Sequence, residues 1–522
     1  MNRILSYKAA AVQFEPELGK VEENRLRMIE FANKAAKLGA KLIVFPEMAT
    51  SGYVWKNREE ISPFVETIPG KTTSILTDIC LSNDCYIVTG LPEVDSNGSY
   101  YNSAVLVGPE GVIGTYRKTH MFSADPLWAR EGKDETPVYD TPIGKIAMLI
   151  CMDAMYFEPS RIAVLKGADI IAFPTNWVGK GGNKPPSNTW RLRAKENELY
   201  WIASNRCGTE RGAHFTGGSG VIDPTGEVLE CLITGEGIVI QEITVSTSRE
   251  NRLLKCRKPY AYQELLLNPY LWKEGETRAL SDSVSFDVLC LSLNSFPTLQ
   301  AFEQYVQSYL KKCKFNTENR LLVVSEISFD NDQSIDLKEY QNLLSDIAEN
   351  YGLFIVSSYS DSTYSNRIPI SFIVGPEGCM GQYQQVHKGE IEDSSFLVVE
   401  LPFLRVGLLT GFDAQFPESY RVLAKLGADL VAVSTNQEIP FEAWAQKIRA
   451  YENDVALAIA APITAVNSMI FLHSEVSIES SQADQSLYHL FIPKMVSKAR
   501  ERSFLRRLNH HLYDLLVEEI QK

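Results

Sequence analysis

Long apolar runs are missing from this sequence of 522 residues. The longest weakly apolar stretch, 455–466, contains Pro462 and Thr464, whereas a helix that crosses a bilayer needs about 20 apolar residues. The apolar part of the N-terminal stretch 1–10 is too short for a secretory signal. The sequence therefore predicts a protein without a membrane span and with a cytoplasmic location.

An excess of basic residues is also missing. The chain has 51 Lys and Arg against 65 Asp and Glu, which gives a formal net charge of −14 at pH 7. A negatively charged protein has no general electrostatic attraction to nucleic acid or to an anionic membrane. We therefore expect neither of these as a partner.

The nine cysteines show no organised spacing. None of them forms a CxxC pair or a zinc-ligand pattern, and their number is odd. In a chain with no secretory signal, such cysteines are expected to be reduced thiols. The sequence predicts no metal and no organic cofactor, and any cysteine with a special role must be recognised by its surroundings.

Internal repetition is the main large-scale feature of the chain. The block 144–176 reads GKIAMLICMDAMYFEPSRIAVLKGADIIAFPTN, and the block 404–436 reads LRVGLLTGFDAQFPESYRVLAKLGADLVAVSTN. The block 108–120 matches 375–387 in the same order along the chain. A chance similarity would not keep this order over such a length, so the sequence predicts a duplicated domain.

The repeat sets the predicted domain organisation. We expect one copy at 7–272, a second at 285–480, and a basic, amphipathic helical tail at 493–522. In each copy, short apolar strands alternate with helical patterns and then with hairpins. This alternation predicts a layered α/β fold with a mixed sheet.

Three polar residues stand where apolar strands are predicted to end. Glu47 follows LIVFP, Lys118 follows the strand of a hairpin, and Cys151 follows AMLI. Residues just beyond buried strand ends commonly line the clefts of α/β proteins. A carboxylate, a lysine and a cysteine that meet there would supply a base, a cation and a nucleophile.

The segments around these residues resemble the nitrilase/amidase, or carbon–nitrogen hydrolase, superfamily. The similarity lies in FPEMATSGY from Phe45, YRKTHMF from Tyr116 and GKIAMLICMDAMYFEP from Gly144, with RAKEN and GGSGVIDPTGEV further along. The resemblance implies a four-layer αββα sandwich in each of the two copies. It also implies a Glu-Lys-Cys triad.

Transferred to this chain, the resemblance assigns the general base to Glu47, the oxyanion-stabilising cation to Lys118 and the nucleophile to Cys151. The backbone N–H of Met152 would be the second oxyanion donor. Many family members have a further carboxylate after the lysine, and two residues compete for this position: Asp125, by its spacing, or Glu131.

Three residues are candidates for the substrate pocket. Asn176 and Trp177 end a predicted strand at the same rim, and Tyr53 comes just after Gly52 at the end of the glutamate motif. The sequence leaves open whether Trp177 forms a pocket wall or belongs to the core.

The second copy lacks the chemistry of the first. Cys151 corresponds to Gly411 and Lys118 corresponds to Gln385, whereas Glu47 corresponds to a surviving Glu326. A carboxylate alone cannot form a thioester, so we expect a degenerate, non-catalytic copy. We also expect the two copies to pair internally as a pseudo-dimer, and further homo-oligomerisation is left open.

The predicted function is hydrolysis of a non-peptide carbon–nitrogen bond, of the amide or N-carbamoyl type, in a small molecule through a cysteine thioester. Nitrile hydrolysis and acyl transfer through the same thioester are alternatives. The nitrilase branch usually has Cys-Trp-Glu at the nucleophile, whereas this chain has Cys151-Met152-Asp153. A non-catalytic binding or regulatory protein is the alternative from another class.

Overall fold

The computed structural model divides the chain into two units. The first comprises the residues up to Lys255 together with His511–Leu516, and the second comprises Cys256–His510 with Val517–Gln521. The structure describes residues 4–179, 187–246, 251–267, 284–293, 295–327, 335–360, 368–388, 394–435, 443–462, 468–472, 476–479, 486–491 and 504–519. The division at 255/256 precedes the predicted boundary at residue 272, which lies outside the described residues.

The first unit contains two six-stranded sheets among its described residues. The first sheet has the order β14-β1-β2-β3-β4-β5, with bounds β1 (Ile4–Gln13), β2 (Ala40–Val44), β3 (Tyr86–Val94), β4 (Tyr100–Gly108), β5 (Gly111–Arg117) and β14 (Gly237–Ser246). The second has the order β13-β12-β9-β8-β7-β6, with bounds β6 (Val138–Thr141), β7 (Gly144–Met148), β8 (Ile170–Thr175), β9 (Tyr200–Asn205), β12 (Ser219–Ile222) and β13 (Val228–Leu232). A short ribbon joins β10 (Thr209–Glu210) to β11 (Ala213–His214).

The first unit also contains helices, and some of them pack on the outer faces of these sheets. Their bounds are α1 (Val21–Lys37), α2 (Arg58–Ile61), α3 (Lys71–Asn83), α4 (Phe157–Leu165), α5 (Asn188–Asn197) and α6 (Arg252–Lys255). Helices α1 and α3 pack on the first sheet, and α5 packs on the second. The unit is therefore a layered α/β structure in the order helix, sheet, sheet, helix.

The alternation of side chains along β1 shows how the layers are held together. Ala9 and Ala11 face the core between the two sheets, whereas Ala10 and Val12 face the core beneath α1 and α3. Successive side chains of a strand point to opposite faces, so a strand that is buried on both sides is apolar throughout. This strand therefore contributes to two cores at once.

Two elements of the first unit end where the backbone turns left-handed. Strand β7 ends at Met148, and Cys151 begins a 3₁₀ turn, Cys151–Met155, with a positive φ of 45° that cannot continue a strand. Helix α5 ends at Asn197, because Glu198 takes the left-handed conformation and Tyr200 then starts β9.

The second unit also has two six-stranded sheets among its described residues, and their strand orders match those of the first unit when they are read from the opposite edge. One sheet has the order β19-β18-β17-β16-β15-β26, with bounds β15 (Phe286–Leu291), β16 (Arg320–Val324), β17 (Phe354–Tyr359), β18 (Ile370–Gly375), β19 (Gly378–Gln384) and β26 (Ser486–Phe491). The other has the order β20-β21-β22-β23-β24-β25, with bounds β20 (Val398–Glu400), β21 (Arg405–Thr410), β22 (Leu430–Ser434), β23 (Ala456–Ala460), β24 (Met469–Leu472) and β25 (Val476–Glu479). The helices are α7 (Leu299–Leu310), α8 (Leu337–Tyr351), α9 (Pro417–Lys425) and α10 (Ala443–Asn453). Because β26 pairs with β15, this unit extends past the predicted boundary at 480.

The C-terminal tail differs from the helix predicted over 493–522. Within the described part, 504–519, the chain forms three short 3₁₀ turns, at Leu505–Arg507, His510–Leu512 and Asp514–Val517. Several apolar side chains of this part are buried, namely those of Phe504, Leu505, Leu508, Leu512, Tyr513 and Leu516. Among the described residues, no helix is long and apolar enough to cross a membrane.

Candidate active site

Glu47 lies at the carboxyl end of β2, in the interior of the first unit. Its side chain is fully buried, and Oε1 accepts hydrogen bonds from Lys118 Nζ at 2.8 Å and from Asn102 Nδ2 at 2.7 Å. Oε2 has no partner among the described residues. Burial raises the pKa of this carboxyl group, although the nearby Lys118 ammonium opposes the effect.

Lys118 follows β5 and lies between two carboxylates. Its ammonium donates to Glu47 Oε1 at 2.8 Å and to Asp125 Oδ2 at 2.7 Å, and all three side chains are fully buried. Burial alone would lower the pKa of Lys118. The charges of Asp125 and Glu47 outweigh burial and raise this pKa well above its usual value, so the lysine stays charged.

The structure distinguishes the two candidates for the further carboxylate. Asp125 is buried, and its Oδ2 accepts from Lys118 and from the backbone N–H of Phe122 at 2.9 Å. Glu131 is exposed on the surface. Of the two, Asp125 is the acid that contacts the lysine.

Asn102 is a residue of this cluster that the sequence analysis missed. It lies on β4, and its Nδ2 donates to Glu47 Oε1 at 2.7 Å and to Asp125 Oδ1 at 3.0 Å. One amide group therefore holds both carboxylates. The available signal was a polar pair, Asn102 and Ser103, directly before the apolar run 104–107 of the same strand.

Cys151 follows β7, which lies beside β8 in the second sheet. It begins the 3₁₀ turn Cys151–Met155 in the left-handed conformation, with a φ of 45°, which is rare for a residue with a side chain. The backbone of Met152 lies in the same turn. Burial raises the pKa of the thiol to about 12, and the charge of Glu47 adds to this while Lys118 opposes it.

The side chain of Asp153 fixes this turn. Its Oδ2 accepts from the backbone N–H of Ile150 at 2.9 Å and from the Tyr116 hydroxyl at 2.9 Å. Its Oδ1 accepts from the backbone N–H of His120 at 3.0 Å. Asp153 therefore connects Ile150, which precedes Cys151, with His120 in the segment that follows Lys118.

The predicted pocket residues differ in their surroundings. The Tyr53 hydroxyl donates to the carbonyl of Phe122 at 3.1 Å, and its ring centre lies 5.8 Å from Lys118 Nζ. Asn176 follows β8 and donates to the backbone carbonyl of Glu47 at 2.9 Å. Trp177 is half-buried and packs its ring against Trp190 in the core, with 5.4 Å between ring centres. The structure thus brings Tyr53 and Asn176 to the cluster, and a pocket role for Trp177 stays a prediction.

The corresponding positions of the second unit hold a different set of side chains. Gly411 begins the 3₁₀ turn Gly411–Gln415 where the first unit has Cys151. Gln385 is buried, and neither polar atom of its amide has a partner among the described residues. Glu326 accepts a hydrogen bond from the Ser360 hydroxyl. The geometry of the turn is kept, but the thiol and the ammonium are absent from these positions.

Known proteins resemble the first half of the chain. The carbon–nitrogen hydrolase family model matches residues 8–252. A nitrilase of Pyrococcus abyssi is 36% identical over 248 residues, which cover 47% of this chain and 93% of that protein. The omega-amidase of Homo sapiens is 29% identical over 258 residues, which cover 47% of this chain and 92% of that protein. The crystal structure of an amidase from Nesterenkonia sp. matches 45% of this chain and 90% of its own, with 24% identity and a TM-score of 0.41.

Proposed function

Because the chain belongs to the carbon–nitrogen hydrolase family, and so hydrolyses carbon–nitrogen bonds through an active-site cysteine, we propose that Cys151 is this cysteine. The observation that supports the assignment is the buried cluster in which Lys118 Nζ lies 2.8 Å from Glu47 Oε1, with both charges acting on the Cys151 thiol. A base, a cation and a thiol at one buried place suit covalent catalysis.

The pKa shifts support Glu47 as the base of the first proton transfer. A thiol with a pKa of about 12 carries its proton at neutral pH and needs a base when it attacks. Glu47 is a stronger base because its pKa is raised, and its Oε2 has no partner among the described residues. The Glu47 carboxylate takes the proton of Cys151 as the sulfur attacks.

The attack forms a bond between the sulfur and the carbonyl carbon of the substrate, and the electron pair of the C=O bond moves onto oxygen. The Lys118 ammonium and the backbone N–H of Met152 stabilise this oxyanion. When the oxyanion collapses, the C–N bond breaks and the amine or ammonia leaves with the proton held by Glu47. The product that remains on Cys151 is a thioester.

The second half-reaction uses the same base. Glu47 takes a proton from water as the water oxygen attacks the thioester carbon, and the same donors stabilise the second oxyanion. The C–S bond then breaks, the thiolate regains the proton from Glu47, and the acid is released. No atom or electron from outside the substrate, the water and this site is needed.

Asp125 takes the role of the further acid in this proposal, in preference to Glu131. Its carboxylate already accepts from Lys118 and from a backbone N–H, so we assign it to keeping the lysine charged and in place. Glu131 is exposed and is not used. Tyr53 and Asn176 would border the pocket that receives the substrate.

The proposed substrate is a small molecule with an amide or N-carbamoyl group. The sequence Cys151-Met152-Asp153 differs from the Cys-Trp-Glu that is usual in the nitrilase branch. Nitrile hydrolysis is the second candidate, because the relative from Pyrococcus abyssi is named a nitrilase.

A substrate screen tests the proposal. The full chain is assayed for ammonia release from matched amides, N-carbamoyl compounds and nitriles, with hydroxylamine added in parallel to detect acyl transfer. We expect release from the first two classes and a loss of about 10⁴-fold or more in Cys151→Ala. A Cys151→Ala enzyme that keeps more than about a hundredth of the wild-type rate would contradict the assignment.

We also propose that the second unit is a degenerate copy of the first and has no hydrolase activity of its own. Gly411 provides no nucleophile and Gln385 provides no charge, while the shared strand order supports a duplication. Internal pairing of the two copies stays a prediction.

A further inference from the structure

A short segment from the end of the chain belongs to the first unit. His511–Leu516 cluster with the residues up to Lys255, although more than 250 residues of chain separate the two. Tyr513 in this segment is 1% exposed, and its hydroxyl oxygen lies 3.1 Å from His120 Nε2. The C-terminal segment thus places one buried polar group against the segment that follows the catalytic lysine.

His120 connects this hydroxyl to Asp153. Its Nδ1 lies 3.0 Å from Asp153 Oδ1, and its ring stacks on Tyr156 with 4.1 Å between ring centres. An ionised carboxylate only accepts hydrogen bonds, so the Nδ1 atom carries the hydrogen. The other ring nitrogen, Nε2, is left to form the hydrogen bond with the Tyr513 hydroxyl.

Asp153 connects the histidine to the nucleophile. It binds the backbone N–H of Ile150 at 2.9 Å, and Cys151 stands between these two residues in the chain. Cys151 is held at a φ of 45°, a conformation that persists only where surrounding contacts enforce it. A contact that orients Asp153 therefore acts on the direction of the thiol.

We propose that Tyr513 is a positioning residue of the hydrolase site, which acts through His120 and Asp153 on the turn that carries Cys151. The proposal depends on the proposed role of Cys151 as the nucleophile. It assigns a catalytic contribution to the C-terminal segment of the chain, which lies outside the residues matched by the family model.

The second unit provides a matched control for this contact. There the Tyr262 hydroxyl is hydrogen-bonded to His387 Nε2, and His387 Nδ1 lies 2.7 Å from Asp413 Oδ1. Both tyrosines are buried. The turn that follows begins with Gly411 instead of a cysteine. Loss of this hydroxyl removes the same kind of hydrogen bond without a nucleophile to misplace.

The experiment compares Tyr513→Phe with Tyr262→Phe in the full chain. We expect Tyr513→Phe to lower kcat by about 5- to 30-fold with KM changed by less than about twofold, because one hydrogen bond that orients the nucleophile is lost. Alkylation of Cys151 by iodoacetamide should slow in parallel. Tyr262→Phe should lower the melting temperature to a similar extent and leave kcat and alkylation unchanged. Equal effects of the two variants on kcat would overturn the proposal.

A double-mutant cycle tests the route through His120. His120→Phe keeps a ring for stacking on Tyr156 and removes the hydrogen bonds of the ring, including those to Asp153 and Tyr513, so Tyr513→Phe should then have no further effect on kcat. Independent, additive losses would overturn the route. If His120→Phe does not fold, the cycle is measured with His120→Gln.

The outcomes also separate this proposal from the proposed function. An active Cys151→Ala enzyme would remove the nucleophile assignment and, with it, the role of Tyr513. An inactive Cys151→Ala enzyme together with a Tyr513→Phe enzyme of wild-type kcat would overturn the role of Tyr513 alone.

Discussion

At the residue scale, two raised pKa values determine how the proposed site depends on pH. Glu47 acts as a base only when it has lost its proton, and burial raises its pKa above the ordinary value of about 4.3. The thiol of Cys151, whose pKa burial raises to about 12, keeps its proton at neutral pH. Of these two groups, the glutamate therefore supplies the acid limb of the pH dependence.

We predict that kcat/KM rises with pH through an acid limb whose midpoint lies above about 4.3, since the active form has a deprotonated Glu47. The measurement is kcat/KM for an amide substrate between pH 4 and pH 9. A rise centred near the ordinary thiol value of about 8.5 would instead indicate that Cys151 ionises before attack.

We predict that turnover depends on the carboxylate of Asp125, because it contacts Lys118. In Asp125→Asn, the buried lysine loses one of two negative partners, and the new NH₂ group faces either Lys118 Nζ or Asn102 Nδ2, which are donors. We expect kcat to fall by about 100-fold or more. Glu131→Gln is the matched control, and its kcat should stay at the wild-type level because Glu131 is exposed. The opposite ranking of the two variants would assign the further acid to Glu131.

At the scale of elements, the close approach of β3 to the end of β2 sets the position of the base. A Cβ atom on Gly90 would lie 2.6 Å from Glu47 Cα and 2.8 Å from the backbone nitrogen of Met48. The Gly90 carbonyl also accepts from the Ala49 N–H at 2.8 Å. Backbone atoms cannot move away as a flexible side chain can. The absence of a side chain at Gly90 therefore allows the backbone of Glu47 to lie at its observed position.

Gly90→Ala should therefore displace Glu47 and lower kcat by at least about tenfold, with a loss of about 1–3 kcal/mol in the free energy of unfolding. Steady-state kinetics and denaturant melts measure the two effects. Gly375→Ala in β18 is the control, because its Cβ would meet the side chains of Phe354 and Met380 in the second unit. It should lower stability without lowering kcat, and an active Gly90→Ala enzyme would show that the backbone of Glu47 tolerates the shift.

At the scale of the whole molecule, the two units should respond differently to matched substitutions. We predict that Glu47→Gln abolishes turnover and that Glu326→Gln leaves kcat unchanged, because Glu47 acts with Lys118 and Cys151, whereas the positions that correspond to these two residues hold Gln385 and Gly411. In a Cys151→Ala background, Gly411→Cys should restore no activity, since the buried Gln385 supplies no cation. Ammonia release from the double variant is the measurement, and any turnover above the Cys151→Ala level would assign chemistry to the second unit.

The sequence was sufficient for the parts of this protein that depend on local patterns. The continuous apolar run 9–12 of β1 and the Gly111–Arg117 strand of the hairpin follow from side-chain pattern and turn residues. The resemblance to the carbon–nitrogen hydrolase family was confirmed by the match to the family model and by the similarity to the nitrilase of Pyrococcus abyssi. These features are carried by residues close together in the chain, so a short window of sequence contains the physical reason for each.

Only the tertiary structure decided which distant residues share the site. Asn102 was missed, and Asp125 and Glu131 could not be separated by spacing, because burial depends on how the loop after β5 folds back on the sheet. Tyr513 lies 393 residues from the histidine that it contacts. A hydrogen bond of this range leaves no periodic trace in the sequence, since its geometry is fixed by packing and not by chain neighbours.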